Sequence, residues 1–138
     1  MHIPLVKEKE NEFCSEASAE MVVNYYGYDT SPLFQHLLDA SCCTSLENMD
    51  KCLKPLLNCK LKKGNYGKLR TNLKKKRATM LRVVPIGQDD RHTVVLTDLN
   101  EKGIAVNDPS LGKICYNKEL FEKMWSETGN LMLVCEKK

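Results

Sequence analysis

The chain has 138 residues, 42% hydrophobic and 28% charged, with a formal net charge of +3. That size predicts one domain, residues 1–138, able to bury roughly two thirds of its unfolded surface. No stretch approaches the ~20 apolar residues that span a bilayer, and MHIPLVKEKENEF lacks the apolar core of a signal peptide, so a soluble, cytoplasmic chain without fused membrane or ATPase domains is expected.

In chain order, Ser15 to Tyr26 reads as a helix with Ala17, Met21, Val22 and Tyr25 on one face and Gly27 as its stop. Ser31 and Pro32 open a second helix, with Leu33, Phe34, Leu37 and Leu38 facing inward and His36 at its solvent edge. Thr44 and Glu47 form a capping box ahead of Leu46, Met49 and Leu53, and Pro55 disturbs that helix's end. A short helix near Lys68 to Lys76 offers Leu69 and Leu73. Strands follow at Thr79 to Ile86, Thr93 to Leu99, Gly103 to Asn107, Lys113 to Tyr116 and Leu131 to Cys135, with turn signals at Asn100 to Gly103 and Pro109 to Gly112. A late helix, Lys118 to Trp125, carries Phe121 and Trp125 as core residues. Helices first and antiparallel strands second predict an α+β fold in two layers.

Three segments carry chemistry. EFCSEASAEMVVNYYGY, from Glu12 to Tyr28, sets Cys14 at a helix start, where unpaired N–H groups and the helix dipole favour the thiolate that attacks carbonyls. RHTVVLTDLN supplies His92 as a base, and GIAVNDPSLG supplies Asp108 as its orienting acid, each on its own strand. Asn-Asp-Pro is also an ordinary turn that Asp108 could cap.

Cys14, Ala17, Met21, Tyr26 and Gly27, then His92, Val94 and Val95, then Asn107, Asp108, Pro109 and Gly112 make the chain resemble a family of papain-like cysteine peptidases. These trim bacteriocin and other leader peptides after double-glycine sites, and are best known as the peptidase domains of peptidase-containing ABC transporters. The resemblance implies a papain-like fold of N-terminal helices packed on an antiparallel sheet. It implies acyl transfer through a Cys14, His92, Asp108 triad, with no metal and no cofactor. The implied partners are a peptide or protein substrate with small residues at the cleavage site and, second, an exporter.

The sequence departs from this family at two positions. Glu8 stands six residues before Cys14, where the family has the glutamine that donates to the oxyanion, and Ser15 replaces the usual glycine. An ionised glutamate cannot donate, and loss of one such donor costs about 10²- to 10³-fold in rate. Glu8 is then protonated in a desolvated site, or Asn11 or another donor substitutes, or the domain is slow or retired. The principal reading is a stand-alone cysteine peptidase. The alternatives are a peptide-binding module that does not cut and, behind it, a thioester-forming transpeptidase.

Of the other cysteines, Cys42, Cys43, Cys52, Cys59, Cys115 and Cys135 contain no C-x-x-C pair. Without an outward-targeting signal they are expected to be reduced, small buried hydrophobes. Nine Lys and Arg residues and no acid lie between Lys60 and Arg77. With Tyr66 as the only aromatic in that segment, it reads as a solvated basic face, and nucleic acid is not an expected partner.

Overall fold

The computed structural model describes residues 1–7, 14–28 and 45–138, with only the backbone at 14 and 15. Glu8, Asn11, the expected second helix with His36, Cys42, Cys43 and Thr44 lie outside the described residues.

Helix α1, Cys14–Tyr25, ends at Gly27, whose φ of +85° suits glycine. Its residues 17–23 are all buried, not one face alone, because it packs on the sheet on one side and on α2, Leu46–Leu53, on another. Ala17, Ser18 and Ala19 are small enough to let the helix lie close. The N-cap of α2 is Ser45, one residue after the expected Thr44; its hydroxyl accepts from the Asn48 N–H at 3.2 Å.

An unexpected strand comes next: β1, Leu57–Lys63. Its three lysines hid it, yet Leu57, Cys59 and Leu61 alternate with Asn58, Lys60 and Lys62, the period of a strand buried on one face. Asn65 caps α3, Tyr66–Lys74, accepting from the Lys68 N–H at 2.8 Å. Then follow β2, Ala78–Val83; β3, His92–Leu99; β4, Gly103–Asp108; β5, Gly112–Asn117; α4, Lys118–Ser126; and β6, Leu131–Lys137. The six strands form one antiparallel sheet in the order β1-β6-β2-β3-β4-β5.

The layers are three, not the expected two. Met80, Val95, Leu133 and Cys135 face α1 and α2, while Leu81, Val94, Leu96, Met132 and Val134 face α3 and α4. The consecutive apolar residues Val94, Val95 and Leu96 leave β3 buried on both faces, which requires a helical cover on each side. Phe121 and Trp125 sit in the second of these cores, as expected. Cys59 and Cys135 are buried, but Cys115 is exposed, because alternation along β5 turns it outward. Among the described residues no helix is long and apolar enough to cross a membrane.

Candidate active site

Antiparallel pairing sets the start of β3 beside the end of β4. His92 opens β3 opposite Val83 of β2, and Asp108 closes β4 opposite Gly112 of β5. Their side chains meet at this end of the sheet, His92 Nε2 lying 2.7 Å from Asp108 Oδ1. The imidazole keeps 17% of its surface exposed and the carboxylate only 3%.

The same carboxylate oxygen also accepts the backbone N–H of Ser110 at 2.8 Å and of Leu111 at 3.2 Å. Asp108 therefore both caps its turn and contacts the histidine. Gly112, at φ +89°, closes the turn in a backbone conformation that other residues rarely adopt. Burial works against the charge on Asp108. The hydrogen bond and charge of His92, with the two backbone donors, outweigh it and hold the carboxyl below its ordinary value.

Two contacts that the sequence did not signal set this end of the sheet in place. The Ser18 hydroxyl donates to the carbonyl of Thr93, next to His92, at 3.1 Å. Ser18 lies one turn after the first residue of α1, so this bond ties that end of the helix to the start of β3. Asn107, fully buried beside Asp108, donates through Nδ2 to the carbonyl of Ile3 at 2.8 Å, holding the N-terminal segment against β4. Behind Thr93, the Arg82 guanidinium donates to its hydroxyl at 2.6 Å.

Of the residues singled out from sequence, the structure brings His92 and Asp108 into contact. Cys14 is the first residue of α1, one turn before the Ser18 tie. Ser18 and Asn107 carry no motif of their own; a hydroxyl one turn after the cysteine and an amide beside the acid acquire meaning only from the packing.

The solved structures most like this one include the peptidase domain of Streptococcus ComA, a bifunctional ABC transporter involved in a quorum-sensing pathway. It has a TM-score of 0.78 at 18% identity, covering 99% of this chain and 100% of that chain. A double-glycine-motif protease from an AMS/PCAT transporter, solved with the leader peptide, gives 0.75 at 23% identity, covering 99% of this chain and 93% of that one. These likenesses show that the chain shares the fold of those transporter peptidase domains. The Peptidase C39 family profile matches residues 2–138, and the chain belongs to that family. No curated protein sequence matches it.

Proposed function

We propose that this member of a peptidase family is an active cysteine peptidase that cuts a leader-type peptide after small residues, with Cys14, His92 and Asp108 as its triad. The observation that carries the reading is the 2.7 Å contact between Asp108 Oδ1 and His92 Nε2, at the sheet end that Ser18 ties to α1. With Nε2–H donating to the carboxylate, Nδ1 holds the lone pair and exchanges the proton with the Cys14 thiol. The Cys14 thiolate, favoured by the N-terminus of α1, attacks the peptide carbonyl. His92 then passes the proton to the leaving amine, and water hydrolyses the thioester.

Residues 1–138 act in this reading as one peptidase unit, because β6, near the end of the chain, pairs between β1 and β2. The double-glycine motif in the name of the AMS/PCAT protease suggests Gly-Gly or Gly-Ala at the scissile bond and an exported peptide as substrate. The oxyanion is met by the backbone N–H at Cys14 and by whatever donor the Glu8 position supplies.

Synthetic peptides bearing Gly-Gly and Gly-Ala test the reading, with mass spectrometry locating the cut. Cleavage by the wild type that is lost in Cys14→Ala and His92→Ala supports it. Peptide binding without any turnover above the Cys14→Ala blank moves the chain to the non-cutting class.

A further inference from the structure

The proposed chemistry uses one cysteine, and two others lie against each other elsewhere in the fold. Cys59 of β1 and Cys135 of β6 are direct partners in the antiparallel ladder. Partners in such a ladder have Cα atoms about 4.5–5.5 Å apart, within the range a disulfide spans. Their Sγ atoms approach to 3.2 Å, and both are free thiols.

The two are not equivalent. Cys135 has no exposed surface, and its contact with Cys59, its burial and the nearby Asp50 push its thiol well above the usual range. Cys59 keeps 9% exposure and lines an open cavity of about 570 Å³ together with Lys54, Lys60, Glu136 and Lys138. Within that rim Lys54 pairs with Asp50 at 3.4 Å and Glu136 with Arg77 at 2.8 Å, while Lys60 and Lys138 stand exposed beside the opening. Cationic side chains around an opening that Cys59 lines favour the approach of an anionic reagent. β1 is an edge strand paired with β6, so a covalent tie between the two would restrain an edge of the sheet.

We propose that Cys59 and Cys135 are a redox-active dithiol that a small anionic disulfide oxidises, closing a cross-strand disulfide that locks β1 to β6. Cys59, as thiolate, attacks one sulfur of the small disulfide; a mixed disulfide forms and the first small thiolate leaves. Cys135 gives its proton to that thiolate and attacks Cys59 Sγ, and the second small thiol is released. Two protein thiols and one small disulfide become one protein disulfide and two small thiols, so two electrons pass from protein to reagent. Cys59 is the entry point because it alone of the pair meets the cavity.

The test uses the whole chain as Cys14→Ser, which removes the thiol proposed to be activated, exposed to glutathione disulfide. Mapping without reduction is expected to recover a Cys59–Cys135 cross-linked peptide, with an intact mass lower by two hydrogens. Tm is expected to rise by roughly 5 °C or more and to return after dithiothreitol. Adding Cys59→Ala should abolish the cross-link and the rise, whereas adding Cys115→Ser, at an exposed site, should keep both. A mixed disulfide on Cys115 with Cys59 and Cys135 still free would overturn the proposal, as would cross-links joining other cysteines. A Cys59–Cys135 bond formed without a change in Tm would overturn the lock.

Discussion

Replacing Asp108 separates its two duties, and the structure sets different costs for two substitutions. One oxygen, Oδ1, receives all three donors: His92 Nε2 at 2.7 Å and the N–H groups of Ser110 and Leu111 at 2.8 and 3.2 Å. In Asp108→Asn those donors fix the amide oxygen at that position and turn its NH2 away, so His92 keeps both its acceptor and its tautomer. Only the charge is lost. A charge-assisted hydrogen bond is roughly twice a neutral one, a deficit of about 1–2 kcal/mol, which predicts a fall in kcat/KM of about 5- to 30-fold with a stability loss smaller than that of Asp108→Ala.

Asp108→Ala orphans two backbone N–H groups and releases the imidazole. It should cost about 2–4 kcal/mol of stability and about 10³-fold or more in rate per folded molecule. Peptide cleavage normalised to the folded fraction, with thermal melts, gives both quantities. An Asn variant that melts like wild type yet is as inactive as Ala would refute the argument, since the amide must then have turned its NH2 toward His92. Stability lost in both variants with undiminished activity per folded molecule would make Asp108 a turn cap only. Because folding lowers the Asp108 pKa, its contribution is full above its ordinary value of 3.8 and is lost as pH falls through the lower folded value. Asp108→Asn should flatten that acid limb of the melting curve.

Three further outcomes are expected. Brief iodoacetamide treatment near pH 7 should label Cys14 ahead of the exposed Cys115, and His92→Ala should remove that lead; equal labelling of the two in wild type would count against an activated thiol. Glu8→Gln should raise turnover by up to about 10²-fold if only an amide donor is missing, whereas a protonated Glu8 predicts wild-type turnover that falls as pH rises and a flat limb in the variant; turnover against pH distinguishes them. Tyr26 donates its hydroxyl to the Cys135 carbonyl and accepts the Ala78 N–H at 3.0 Å, and burial pushes its pKa up to about 12. Its stabilisation is full below pH 10 and disappears as pH rises through 12. Tyr26→Phe should therefore lower stability by about 1–3 kcal/mol at neutral pH and remove part of the alkaline loss; an unchanged Tm would show the hydroxyl to be idle.

What the sequence made legible and what it hid divide along a physical line. Strands from Ala78 onward could be read because β-branched runs and turn residues are local signals, and their bounds moved by only a residue or a few. β1 was hidden because lysine is rare in central strands; at an edge the same lysines face water and discourage pairing with another chain, so they fit the position. The third layer was legible in principle, since Val94, Val95 and Leu96 cannot all be buried on one face, but counting layers requires knowing which strands are central. The site follows the same division. His92 and Asp108 were legible because their neighbours form recognisable local patterns, although their contact depends on the pairing of β3 with β4. Ser18 and Asn107 act 75 and 104 residues away from their own positions, and no local pattern encodes such a reach. The Cys59–Cys135 contact is of that kind as well, a separation of 76 residues fixed by the β1–β6 register. Reading those cysteines one at a time as small hydrophobes was sound for burial; the chemistry lies in the pair, and only the sheet makes the pair.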